Sequence, residues 1–478
     1  MVQIKRLLIV FALIFLSLPI IVFFPNYGTG DMDVWLEWTA HIDRWGPLNA
    51  YSIINTSVSD TIISNSINAN YNYWTTDYPP FAFINLWLAM KAAAVFGVSW
   101  MIGIKLMLLV YYLATWVSLI YLSTILRRKS IWTSIAVVSG LYLGGLYFAI
   151  ISQAFTTLDI TFAPYVIFSL ALFARRKYLP SGICFALAVL VKWIAIMMLP
   201  VFLFYFIIKN GQRYKLPKTE SHRYYSLSLH ERAKIHSSPR KYVFSRIHPW
   251  INSLGHSASE YKIDMPIFKF LVAFTSVFVL LIIVFLVNHL SLFSLAESLR
   301  KAFSHGVWYF EIGSLNFVYL IQYGVLIPFY PETYVMVIKN NLHIFSLITG
   351  VIFLLVDIAI LKSFLIKKKD VGSLLQASLM ISWSYFILRT GVHANHLFIT
   401  ILAALCLAII NTNKSNIRLY LILIFFGLSP VLTHGFPVRG GFVAFPENLL
   451  HYWLLTLLAA IHVLIYLVYL RKYLAGSE

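Results

Sequence analysis

Most of the chain consists of long apolar runs broken by short clusters of lysine and arginine. The runs fall at 7–24, 81–98, 105–126, 131–151, 158–174, 180–208, 267–287, 316–338, 342–366, 373–388, 396–411, 417–432 and 448–470. They do not alternate apolar with polar as half-buried strands do, and most approach the roughly 20 residues a helix needs to cross a bilayer. In hydrocarbon each backbone N–H and C=O must find its partner within the segment, so the pattern predicts helices. The expected fold is an all-α integral membrane bundle of roughly 11–13 transmembrane helices, with interfacial helices in the outer loops.

Basic clusters stay on the cytoplasmic side, which assigns each loop to a face. Lys5 and Arg6 precede the first run and place the N-terminus in the cytoplasm. Pro25 and Asn26 follow Phe24 where a signal peptide would carry small residues, so this run reads as a retained helix. The chain then emerges into a polar stretch reaching Asp77. Arg127, Arg128 and Lys129 belong inside, so 105–126 crosses and Phe81 to Val98 is expected at the outer interface. The 180–208 run leaves Arg175, Arg176 and Lys177 and comes back to Lys209. It is therefore predicted to be a hairpin of two short helices whose tip, near Lys192 and Trp193, reaches the outer face. Pro328 and Pro331 predict a second re-entrant hairpin over 316–338, and Arg471 and Lys472 place the C-terminus inside.

By this threading 25–80, 289–315, 389–396 and 433–447 share the outer or lumenal face. Three regions follow: an N-terminal transmembrane module at 1–208 whose first outer loop is 25–80, a basic cytoplasmic loop at 209–266, and a C-terminal transmembrane module at 267–478.

Composition agrees with lipid as the solvent: 60% of residues are hydrophobic and 12% charged, against about 25% charged in soluble domains. The net charge of +19 would fit nucleic acid, but the basic residues lie in short turns between apolar runs, so no nucleic-acid partner is expected. Cys184 and Cys406 both sit inside apolar runs and imply neither a disulfide framework nor a metal site.

Only 18 acids occur in the chain, and Asp31 and Asp33 stand together in Gly30-Asp-Met-Asp-Val-Trp35, just past the first run. A carboxylate at a membrane helix end is costly without a task or a partner, although helix capping would also explain the pair. Trp74-Thr-Thr-Asp77-Tyr78-Pro79-Pro80 reads as an extended segment that ends at a helix start, or as an interfacial aromatic anchor. Lys192 is a candidate phosphate holder, with snorkelling to headgroups as the alternative. Arg389, His393 and His396 form a third cluster able to donate hydrogen bonds to an anion. Two imidazoles without a third nearby ligand argue against a metal, and no cofactor is expected, though Asp31-Met-Asp33 leaves room for a divalent ion.

A scarce acid, several cations and many aromatics at one lipid boundary suit glycosyl transfer from a polyprenyl-phosphate sugar. The donor tail lies in lipid, a carboxylate takes the proton of the attacking hydroxyl, and cations stabilise the leaving phosphate. The partners so implied are that donor, a glycan or lipid-linked acceptor, and membrane lipid. A transporter or flippase of lipid-linked sugars is the competing reading. The chain shows no internal repeat of the kind many transporters carry.

At Gly30-Asp31-Met-Asp33-Val-Trp35, Trp74 through Asp77-Tyr78-Pro79-Pro80-Phe81, Lys192 and Gly391-Val392-His393, the chain resembles the GT-C superfamily of polytopic membrane glycosyltransferases. The likeness is nearest to the dolichyl- and polyprenyl-phosphate-sugar-dependent enzymes. It implies that Asp31 is the base that activates the acceptor and that Asp77 to Pro80 help shape the site. It also implies that Gly391 to His393 contribute to the donor-phosphate region, and it matches Lys192 to a lysine of the middle helices. The eukaryotic glucosyltransferases carry Gly-Val-His-Glu-Lys, whereas this chain continues His393-Ala394-Asn395, and the basic segment 209–266 has no counterpart.

Overall fold

The structure, a computed structural model, describes residues 30–55, 76, 78–127, 130–144, 146–209, 261–263, 266–308, 314–326, 341–367, 370–390, 392, 394–428, 436–438, 441–443 and 449–476, with Val10 and Ser17. The expected first span, nearly all of the 209–266 loop and most of 433–447 lie outside these residues. The first half runs α1 (Gly30–Trp45), α2 (Pro47–Ile54), α3 (Pro80–Phe96), α4 (Trp100–Arg127), α5 (Ile131–Gly144), α6 (Ala163–Ala174), α7 (Tyr178–Val191) and α8 (Leu199–Tyr205). A short antiparallel ladder of β1 (Ile207–Lys209) and β2 (Tyr261–Ile263) leads to α9 (Pro266–Val287), α10 (Phe293–Trp308), α11 (Phe317–Ile321), α12 (Leu342–Ile366) and α13 (Val371–Leu388). The chain ends with α14 (Phe398–Ile410), α15 (Lys414–Gly427), a second small ladder of β3 (Phe436–Val438) and β4 (Gly441–Val443), and α16 (Leu449–Ala475).

Among the described residues, five helices are long and apolar enough to cross a membrane: α4, α9, α12, α13 and the Trp453–Ala475 part of α16. A sixth span results if Ile131–Tyr142 and Tyr147–Ala154, bent by 65°, count as one. The chain is thus an all-α, multi-pass membrane protein. The sequence pattern anticipates about a dozen spans because it scores apolar length alone. Several of its runs form shorter helices, such as α14 with 13 residues, nearly all of them buried in protein. A helix apolar on every side is equally a core helix.

The neighbouring helices pack as antiparallel hairpins with consistent register. Asn85 accepts a hydrogen bond from the Tyr111 hydroxyl (2.8 Å), and a Cβ at Gly103 would collide with the Ala89 carbonyl, so α3 folds back along the first half of α4. With 17 residues α3 is shorter than the helices long enough to cross a membrane, and its outward side carries the exposed Lys91 beside Leu88, Val95 and Phe96.

Ser123 meets Ser134, Trp116 meets Ser139 and Tyr142 reaches the Tyr112 carbonyl, which sets α5 against α4. The chain then changes direction by 65° between Tyr142 and Tyr147 and forms a π-helical turn at Ile150–Ala154 and a 3-10 turn at Leu158–Thr161 before α6. Gln153 is fully buried in the protein. Irregular backbone at this depth persists only where protein covers it.

The 180–208 run is a hairpin of two short helices. Tyr178 at the start of α7 stacks edge-on with Phe206 just past α8 (5.3 Å), and Phe185 lies 4.9 Å from Phe202. Between the arms, Lys192 is extended (φ −151°, ψ 122°) and Trp193–Met198 form a 3-10 turn. With 14 and 7 residues, neither arm spans a bilayer alone. The ends near Arg127, Arg175–Lys177 and Lys367 gather on one face. Arg127 donates to the Ile409 carbonyl, Arg175 lies over Tyr121, Lys367 lies over Tyr473, and α12 packs on β1. The Lys192 tip points the other way.

Candidate functional site at the hairpin tip

Lys192 is brought to its place by helix register. Ser169 bonds Ser181 and Phe173 packs on Tyr178, so α6 and α7 run antiparallel from the tight turn at 175–177. Residues whose numbers add to about 350 stand at one height. Asp159 and Lys192 obey the same rule, and the ammonium meets the Asp159 carboxylate in an ion pair. At 1.5 Å per residue the pair lies roughly 24 Å from the basic turn. Lys192 is 7% exposed and Asp159 1%, so Lys192 is a buried ion-pair partner and not a lysine snorkelling to headgroups.

The ammonium also donates to the Tyr78 hydroxyl (3.3 Å), which occupies a second of its three donor sites. Tyr78 is held by its backbone. Its N–H donates to Thr76 Oγ1 (2.9 Å), and Pro79 and Pro80 form the N-cap and first residue of α3. Its carbonyl accepts from Ser298 on α10 (2.8 Å), and Ser298 in turn accepts from the Trp193 indole N–H (3.1 Å). These bonds tie the first loop, the hairpin tip and α10 together.

A small cavity opens here, lined by Tyr78, Lys192, Trp193, Ile194, Ala302, Tyr385 and His396. His396 stands in the 3-10 turn Ala394–Leu397 ahead of α14, with its ring 6.0 Å from that of Tyr385. Tyr78 is backed by Trp35 (5.2 Å) and Trp38 (6.0 Å) of α1. Asp31 and Asp33 occupy the first turn of α1. Asp31, half-buried, lies one turn before Trp35 and so shares its face, whereas Asp33 is exposed.

Beyond Trp35 is a second polar centre. The Trp35 indole donates to the Thr156 carbonyl (3.0 Å), and Thr156 adopts φ 57°, a strained value for a β-branched residue. The buried Lys105 donates to the Gln153 carbonyl (2.9 Å), and the Gln153 side-chain amide has no hydrogen-bond partner among the described residues.

Of the expected site residues, Tyr78, Lys192 and His396 meet at the cavity. Arg389 does not line it. Its guanidinium donates to the Ser346 carbonyl (2.8 Å) and lies across Gly350 on α12. Trp74, Asp77 and His393 lie outside the described residues. Among the described residues no group of three His, Cys, Asp or Glu side chains is arranged to hold a metal ion. Asp159 is the residue that sequence reading passed over. Its signal was available, because an acid inside an apolar run is as conspicuous as Lys192. No protein-family model and no curated protein matches the chain.

Proposed function

We propose that the chain is a membrane glycosyltransferase of the GT-C type that moves a hexose or pentose from a polyprenyl-phosphate donor to a glycan or lipid-linked acceptor. The chemistry is assigned to the non-cytoplasmic face. One observation carries the reading: Tyr78 of the Asp-Tyr-Pro-Pro segment, Lys192 of the re-entrant tip and His396 beyond Gly-Val-His, remote in sequence, line one cavity. Asp31 lies on the face of α1 that packs, through Trp35, on Tyr78.

In this mechanism the acceptor hydroxyl attacks the anomeric carbon and gives its proton to Asp31. The bond to phosphate oxygen breaks with its electron pair, and Lys192 and His396 donate to the oxygens where charge develops. A single displacement inverts the anomeric centre. Tyr78, Trp193 and Tyr385, which line the cavity, supply aromatic surface for sugar rings, Trp35 and Trp38 back Tyr78, and Asp33 is assigned to the acceptor side.

The test is transfer of radiolabelled sugar from a panel of polyprenyl-phosphate hexoses and pentoses, with wild type and Asp31→Asn compared at matched folded protein. Asp31→Asn is expected to be slower by about a hundredfold or more. Equal activity removes Asp31 as base. A buried intramembrane ion pair beside broken helices is also what transporters use, which keeps a flippase of lipid-linked sugars as the second reading. Translocation of a labelled lipid-linked sugar in proteoliposomes, with no transfer from any donor, selects it.

A further inference from the structure

Resting on the glycosyl-transfer reading, we infer that Asp159 makes the Lys192 subsite selective for a singly charged phosphodiester over a doubly charged phosphate. Asp159 is absent from the cavity lining and sits behind Lys192, against its ammonium. Both are buried, so their charges are weakly screened. Lysine and aspartate together bring no net charge, and among the described lining residues Lys192 is the one Lys, Arg, Asp or Glu. With Asp159 and Tyr78 each taking one donor, the ammonium has a third for the cavity. Such a subsite offers a strong hydrogen bond without a surplus of positive charge.

This balance fits one state of the proposed substrate. A polyprenyl-phosphate sugar is a phosphodiester with one negative charge. When the anomeric C–O bond breaks, its electron pair stays on the phosphate, and the polyprenyl phosphate left behind is a monoester approaching two charges near neutral pH. The nearer ammonium attracts the added charge, but Asp159 offsets about half of that attraction and leaves too little to compensate for the greater desolvation of a dianion in a buried site, so the spent lipid is released and diphosphate-linked sugars are disfavoured. One extra charge roughly 6 Å from a carboxylate, at an effective dielectric near 20, changes affinity on the order of tenfold to a hundredfold.

The test uses the full chain in lipid nanodiscs and two probes, a short isoprenyl phosphate monoester and its methyl diester, with binding read directly. Wild type is expected to prefer the diester. Asp159→Asn should move the ratio toward the monoester by about tenfold or more, and Asp159→Glu should restore it. A structural role alone would weaken both probes alike. Should Asp159→Asn not fold, wild type suffices: the monoester loses its second proton near pH 6, so raising pH from 5 to 8 should weaken it by about tenfold relative to the diester. The same pH series on His396→Gln removes the imidazole from the comparison. Binding of both probes with a ratio unmoved by Asp159→Asn, or by pH where that variant is unfolded, overturns the inference and leaves the transferase reading standing. Failure of wild type to bind either probe removes both.

Discussion

Trp193 and Ser298, 105 residues apart in the chain, are joined by an indole N–H to hydroxyl hydrogen bond of 3.1 Å. The same serine donates to the Tyr78 carbonyl, so one hydroxyl holds the hairpin tip, α10 and the first loop in a fixed relation. Ser298→Ala leaves a buried indole N–H and a buried carbonyl without this partner. The expected cost is about 1–3 kcal/mol, read as a lower thermal midpoint in detergent, with reduced sugar transfer. An unchanged midpoint would mean that the tip is held elsewhere.

The Lys192–Asp159 pair should reveal itself in a double-mutant cycle. Lys192→Met takes the cation from a buried carboxylate and is expected to cost about 3–5 kcal/mol. Adding Asp159→Asn removes the charge left behind and should recover most of that loss. Transfer stays abolished in both, which separates a catalytic loss from a stability loss.

Gly182 is where α7 approaches α9. A Cβ there would stand 2.3 Å from the Phe270 carbonyl and 3.1 Å from Ala273 Cβ. Gly182→Ala forces the helices apart, with an expected destabilisation of about 1–3 kcal/mol. Gly140, where nothing lies within 4 Å, is the control, and Gly140→Ala should be neutral or slightly stabilising.

On α10, Arg300 donates to both oxygens of Glu297 (2.7 and 2.6 Å) and holds that carboxyl below the usual carboxylate range. A lowered folded pKa stabilises the protein above the ordinary value near 4.3, and the contribution fades as pH falls through the folded value. Wild type should therefore lose thermal midpoint on acidification below about pH 4 more steeply than Glu297→Gln. Parallel pH profiles would remove the pair from the stability balance.

Much of this arrangement was legible in the chain, for reasons that differ by residue. The 180–208 hairpin was readable because like-charged clusters bracket a run too short for two spans, and its tip at Lys192 followed. Asp159 is conspicuous as an acid in an apolar run, but its place at the start of 158–174 lets it read as the solvated edge of a span. The helix register that sets it opposite Lys192 becomes visible only once the turn at 175–177 is known to be tight. Sequence proximity groups Arg389 with the histidines. At the C-cap of α13 the backbone extends (φ −87°, ψ 145°), and the side chain lies along α12. The break after α5 has a signal in Gly144-Gly145, a pair that interrupts a helix, but the long apolar run around it reads equally as one crossing helix.

The pairing of Ile207 with Ile263 and of Lys209 with Tyr261 pinches the chain at a neck. Strands joined this way stand about 5 Å apart, so α8 delivers the chain almost where α9 receives it, whatever lies between. The helices on either side are thereby insulated from the length of the 210–260 stretch. Loop length carries only a slow logarithmic penalty, and here the closure is already made at the neck. That stretch can be lengthened, exchanged or cut to a tight turn while the register that sets Lys192 opposite Asp159 is kept, which makes it the natural site for grafting a foreign domain or an affinity tag.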